Sequence, residues 1–180
     1  MALNDLALKY ESDKSSALHD YCPHYERVIR PGRVNRVLEI GVLKGASLRM
    51  WRDWCPHAEV YGVDIMPESM IKGERRITTF LGSGDDREYM LKIARMHGPF
   101  DLIVDDGNHL YASQLAAFET LWPSVTAGGV YVIEDLASSM DFASLCVGLA
   151  QSILCLPPAP ENDFAAAHFS HELAIFEKRA

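Results

Sequence analysis

From residue 36 onward two hydrophobic rhythms alternate, and this alternation limits the possible folds more than any other feature of the chain. Short apolar runs rich in β-branched residues read as buried parallel strands at 37–40, 60–63, 77–81, 102–104 and 130–133. Between most of them the apolar residues recur at helical spacing. Leu48, Trp51 and Trp54 share one face of 46–54, and Tyr89, Ile93 and Met96 share one face of 86–96. Leu115, Phe118 and Trp122 do the same over 112–122, where Pro123 ends the pattern. The segment 66–76 contains Pro67 and Gly73 and can form only a short or irregular helix.

Strands alternating with helices predict an α/β fold, an open, mostly parallel sheet with helices on both faces. Ligands of such sheets sit beyond the carboxyl ends of the strands, where the strand order reverses. The informative polar residues fall at those ends: Glu39 and Gly41, Asp64, Asp85 and Asp86, the stretch from Asp105 to His109, then Glu134 and Asp135. The tail alternates as a hairpin, 166–169 against 173–178. Residues 3–30 read as mostly helical with a break near Pro23, 141–153 as a helix, and 157–160 as a proline-rich loop. No repeat or low-complexity linker interrupts the 180 residues, so one domain is expected, with 1–35 as an N-terminal helical lid.

The formal net charge of −8, without a lysine or arginine cluster, argues against a nucleic-acid or anionic-membrane surface. No window approaches a membrane span, and the N-terminus has acids where a signal peptide carries bases. Cys22, Cys55, Cys146 and Cys155 lack metal-ligand spacing and read as thiols of a reducing compartment, so a cytoplasmic protein is expected.

Gly41 directly follows the first strand, and Gly45 opens the next helix. A dinucleotide loop would show GxGxxG, whereas the spacing here is GxxxG. Glu39 at the turn would repel a pyrophosphate but suits a ligand with a positive centre and no phosphate, as in S-adenosylmethionine. Asp64, ending the second strand, can accept from both ribose hydroxyls. Asp85 or Asp86 can accept from an adenine amino group or cap the following helix. The expected cofactor contacts are Glu39, Gly41, Gly45, Ser47, Asp64, Asp86 and Asp105.

FDLIVDDGNH and YVIEDL place Asp105, Asp106, Glu134 and Asp135 at two strand ends. Carboxylates gathered at one sheet edge need shared protons or a cation, and an all-oxygen set favours Mg²⁺ over zinc. His109, three residues after Asp106, can serve as general base. The chemistry that fits is methyl transfer to an alcohol, with the metal acidifying the hydroxyl and the imidazole taking its proton. The competing structural reading makes Asp105 and Asp106 helix caps and His109 a surface residue. Tyr10, Asp13, Lys14, His19 and Tyr25 fit either a lid over the ligands or a packed helix face. Trp51 and Trp54 read as core anchors, the methionines as gap fillers, and His168 and His171 receive no role.

LEIGVLKGASLRMW, VYGVDI, GPFDLIVDDGNH and GGVYVIEDL, together with KYESDKSS near the start and AIFEK near the end, resemble the macrolide sugar O-methyltransferases of the mycinamicin and tylosin type. They also resemble the related cephalosporin-pathway methyltransferase module. The resemblance implies a Rossmann-like class I methyltransferase fold with a mostly parallel seven-stranded sheet and a C-terminal antiparallel hairpin. It further implies S-adenosylmethionine as cofactor, Mg²⁺ held by Asp106, Glu134 and Asp135, and His109 as base. Ser83-Gly84 stands where the family usually has Asp-Gln, which leaves Asp86 as the best match for the adenine contact, and Asn108 replaces the more usual serine. The macrolide enzymes also carry a large N-terminal domain with no counterpart in these residues, so their acceptor and assembly are not carried over. The partners expected are a small hydroxylated acceptor, such as a sugar or vicinal diol, and optionally a second copy of the chain. The rival readings are a metal-independent methyltransferase, a nicotinamide oxidoreductase, and a non-catalytic S-adenosylmethionine-binding protein.

Overall fold

A computed structural model of the chain describes residues 1–136, 163–170 and 172–180. The strands are β1 (Arg36–Ile40), β2 (Glu59–Asp64), β3 (Ile77–Leu81), β4 (Phe100–Asp105), β5 (Val125–Ile133), β6 (Phe164–Ser170) and β7 (Leu173–Lys178). The helices are α1 (Leu3–Lys9), α2 (Cys22–Val28), α3 (Ala46–Trp54), α4 (Arg87–His97) and α5 (Tyr111–Leu121). The seven strands form one sheet in the order β3-β2-β1-β4-β5-β7-β6. The first five pair in parallel, while β7 lies antiparallel to both β5 and β6. The fold is therefore the α/β architecture expected, with the hairpin at one edge.

Side chains of a strand alternate between its faces, and this parity sorts the core into two layers. Val37, Val60, Leu102, Val104, Val130 and Val132 pack on the face that carries α1, α2 and α3. Leu38, Ile40, Val63, Ile103, Tyr131 and Ile133 pack on the other, under α4 and α5. Trp51 and Tyr25 anchor the first layer with ring centroids 4.8 Å apart, and both are fully buried. Burying a large apolar side chain of this kind contributes about 1.5–3 kcal/mol.

The N-terminal region differs from its sequence reading in one respect. Pro23 does not break a helix; it sits in the first turn of α2, where a missing amide hydrogen costs nothing. The break instead spans residues 10–21 and is bounded by left-handed residues, Glu11 at φ 58° and Asp20 at φ 54°. The segment 66–76 carries only a 3₁₀ turn, Pro67–Ser69. The expected helix at 141–153, the loop at 157–160, Cys146, Cys155 and His171 lie outside the described residues. Among the described residues, no helix is long and apolar enough to cross a membrane.

Candidate functional site

The strand order reverses between β1 and β4, and the loops that follow these two strands touch. Gly41 adopts φ +91°, and a Cβ there would lie 1.9 Å from the Asp106 carbonyl oxygen. Only glycine permits this approach. The two loops open onto a pair of neighbouring cavities.

The smaller cavity, about 190 Å³, is lined by Ile40, Val63, Asp64, Asp85, Asp105 and Ser113, among others. Asp64 accepts from the amides of Val42 at 2.8 Å and Leu43 at 2.9 Å through one oxygen, and from Met66 at 2.8 Å through the other. Partial burial alone would raise its pKa, but these backbone donors hold it below the ordinary carboxylate value. Asp105 is buried, and its Oδ2 has no hydrogen-bond partner among the described residues. Burial pushes its pKa up to about 7, against the Gly107 amide, which pulls the other way. Asp85 accepts from Ser83 at 2.6 Å and from Ser113 at 3.0 Å. Asp86, placed at the adenine contact by sequence, instead caps α4 by accepting from the Tyr89 amide at 3.0 Å, and it does not line this cavity. The acid facing the pocket is its neighbour, Asp85.

The larger cavity, about 720 Å³, runs from Gly41, Ser47 and Asp64 to Asp106, His109 and Asp135, and is covered by Tyr10 through Asp13. The ligand atoms of Asp106, His109 and Asp135 lie within 4.8 Å of one another. His109 Nε2 is 3.8 Å from Asp135 Oδ2, and its buried Nδ1 has no partner among the described residues. Both His109 and Asp135 hold left-handed backbone angles, φ 57° and 49°, which aim consecutive loop residues in different directions. Neither Asp105 nor Asp106 caps α5, whose N-cap is Leu110 without a side-chain bond.

The expected convergence of four carboxylates is resolved differently by the sheet. Asp105 continues the parity of Ile103 and faces the smaller cavity, whereas Glu39 and Glu134 share the parity of Val37 and Val132 and face the N-terminal helices. There Lys14, 1% exposed, brings its ammonium to 2.5 Å from Glu134 Oε2, 2.6 Å from Asp106 Oδ2 and 3.4 Å from Glu39 Oε1. Burial opposes the charge on Lys14, but Glu134, Asp106 and Glu39 raise its pKa well above the ordinary lysine value. Tyr25 donates its hydroxyl hydrogen bond to the second oxygen of Glu134. Glu39 also accepts from Ser47 at 2.8 Å, and burial, opposed by Lys14, pushes it up to about 7. Gly45, at φ +74°, packs against Ile71 and touches neither cavity. The sequence reading did not foresee Lys14 as the partner of these acids. The one available signal was a lysine among acids in KYESDK.

The lid residues therefore divide. Tyr10 and Asp13 border the larger cavity, Lys14 and Tyr25 are buried against Glu134, and His19 stacks on Tyr21 with centroids 5.1 Å apart. Tyr21 donates to Asp135 Oδ1 at 2.7 Å.

A methyltransferase-domain family model matches residues 38–136, which spans β1 through the acids after β5. The chain belongs to this methyltransferase family. The methyltransferase domain is 35% identical to the mycinamicin VI 2''-O-methyltransferase of Micromonospora griseorubida, over 98% of this chain and 52% of that protein. It is 41% identical to the demethylmacrocin O-methyltransferase of Streptomyces fradiae, over 74% of this chain and 36% of that one. It superposes on the MycE methyltransferase of the mycinamycin pathway, solved with Mg and SAH, with a TM-score of 0.89 and 34% identity, covering 99% of this chain and 55% of that one. The domain thus spans about half the length of the relatives it matches. A superposition on a caffeoyl-CoA O-methyltransferase of Staphylococcus aureus, at 14% identity and TM-score 0.64, reflects the fold alone.

The residues of the two cavities fit both a nucleoside and a divalent cation. The orphaned Asp105 oxygen, the glycine cradle at Gly41 and the acid Asp85 suit the donors of a nucleoside. Two carboxylates and an imidazole at mutual reach suit a divalent cation, since Mg²⁺ is commonly bound through one or two carboxylates plus waters.

Proposed function

We propose that the domain transfers a methyl group from S-adenosylmethionine to a hydroxyl of a small natural product, with a sugar as the acceptor class, and that a divalent cation assists. The convergence of Asp106, His109 and Asp135 on one cavity, which shares Gly41 and Asp64 with the smaller cavity lined by Asp85 and Asp105, carries this reading. Relatives named as O-methyltransferases of mycinamicin VI, of a rhamnosyl-tetracenomycin C and of L-olivosyl-oleandolide, and the MycE complex with Mg, SAH and mycinamycin VI, support it.

In this reading Asp64 accepts from the ribose, Asp105 and Asp85 accept from the base, and Gly41 and Ser47 border the amino-acid portion. Asp106 and Asp135 would hold Mg²⁺, with Glu134 joined to Asp106 through Lys14. When bound, S-adenosylmethionine supplies an electrophilic methyl, and the metal lowers the pKa of an acceptor hydroxyl. His109 takes the hydroxyl proton on an imidazole nitrogen, and its Nε2 lies 3.8 Å from Asp135 Oδ2. Tyr10 to Asp13 close the cavity and limit the water that reaches it. We read residues 1–180 as one catalytic domain of a cytoplasmic enzyme, without a nucleic-acid partner.

The test combines calorimetry with S-adenosylhomocysteine and product analysis with a demethylated macrolide glycoside as acceptor. Binding of the nucleoside, and methylated product that disappears with EDTA and returns with Mg²⁺, is the expected outcome. Absence of nucleoside binding overturns the proposal. Turnover indifferent to EDTA leaves a metal-independent enzyme.

A further inference from the structure

The acidic cluster already contains one cation of its own. Lys14 comes from the segment between α1 and α2, yet its ammonium sits among carboxylates from three strand ends: Glu39 in β1, Asp106 after β4 and Glu134 after β5. Asp13 approaches it at 3.9 Å from the cavity side. A buried charge of this kind persists only when paired, and one ammonium faces more carboxylates than it can neutralise. Of these acids, Asp106 also reaches the larger cavity, where its ligand atom lies within 4.8 Å of those of His109 and Asp135. One oxygen of each of these two carboxylates is already committed, Asp106 Oδ2 to Lys14 and Asp135 Oδ1 to Tyr21.

We propose that Lys14 is a positioning residue that tempers the affinity of the cluster for a divalent cation: it holds Glu39 and Glu134 turned inward and sets its own positive charge against the incoming ion. This rests on the metal-assisted reading given above. Two like charges separated by a single carboxylate repel each other at the low effective dielectric of a protein, so the metal binds more weakly at Asp106 and Asp135 than it would without Lys14 beside them. The same contact ties the segment that covers the cavity, Tyr10 to Asp13, to the floor of the site. Loading the metal and ordering the cover therefore act through one shared residue, Asp106.

The consequence is a change in affinity opposite to that of ordinary damage. Lys14→Met and the milder Lys14→Gln are compared with wild type and Lys14→Arg, using Mn²⁺ as the probe at constant ionic strength, followed by calorimetry and electron paramagnetic resonance. Lys14→Met or Lys14→Gln is expected to bind Mn²⁺ at least about tenfold more tightly, and to gain more in thermal midpoint from Mn²⁺ than wild type does. Lys14→Arg, which keeps the charge, is expected to stay near wild type. Equal or weaker Mn²⁺ binding by a folded neutral variant overturns the proposal, as does failure of both neutral variants to fold at saturating Mn²⁺. Calorimetry with S-adenosylhomocysteine on the same samples keeps the two readings apart. Loss of nucleoside binding in wild type defeats the proposed function, while unchanged metal ranking with nucleoside binding intact defeats only the role of Lys14.

Discussion

Gly41 and the carbonyl oxygen of Asp106 meet so closely that a methyl group on Gly41 would lie 1.9 Å from that oxygen. The donor loop after β1 and the acidic loop after β4 are thus positioned by one contact. Gly41→Ala must displace backbone, and at φ +91° it is strained as well. It is expected to lose about 3 kcal/mol or more of stability and measurable S-adenosylhomocysteine binding together, as read by thermal melting and calorimetry. A stable variant with normal binding would contradict the contact.

Asp64 binds the turn that it closes, because its oxygens accept three backbone amides. Asp64→Asn replaces one acceptor oxygen by a donor facing these amides. S-adenosylhomocysteine affinity should fall at least about tenfold, about 1.4 kcal/mol, with a smaller loss of stability. Titration calorimetry beside a melting curve separates the two effects.

His109 and Asp135 lie together but should fail differently. His109→Ala removes the proton acceptor, so turnover should fall by about 10²–10⁴ while nucleoside binding stays intact. Asp135→Asn should reduce Mg²⁺ affinity, so that added Mg²⁺ partly restores its rate. Single-turnover product formation across a Mg²⁺ titration distinguishes the variants.

Asp53 supplies a pH signature remote from the acidic cluster. Burial would raise its pKa, but the Tyr10 hydroxyl, Arg52 and Lys9 lower it to about 2 from the ordinary 3.8. A carboxyl with a depressed folded pKa contributes stability above its unfolded pKa and loses that contribution as pH falls through the folded value. Wild type should therefore exceed Asp53→Asn by about 1 kcal/mol at neutral pH, with the gap closing between about pH 4 and pH 2. Urea unfolding over that range measures it. Because Tyr10 borders the larger cavity, protection of its segment in hydrogen exchange should fall in the variant as well.

The periods of apolar residues in the sequence determined the strands, the helices α3 to α5, the hairpin and the strand ends at which the acids would gather. These depend on local spacing and chain direction, and a buried parallel strand has few other ways to read. Tertiary structure alone decided which way each acid points. Asp105 and Asp106 are neighbours in sequence, yet one faces the smaller cavity and the other meets Lys14, because adjacent residues at a strand end take opposite faces. Asp86 ends as a helix cap while Asp85 lines the pocket, a choice set by where α4 begins. Lys14 and Glu134 are 120 residues apart, and no local pattern could pair them. Their contact exists because α1 and α2 pack on the sheet face toward which Glu39 and Glu134 project, and a buried carboxylate there requires a cation at hand.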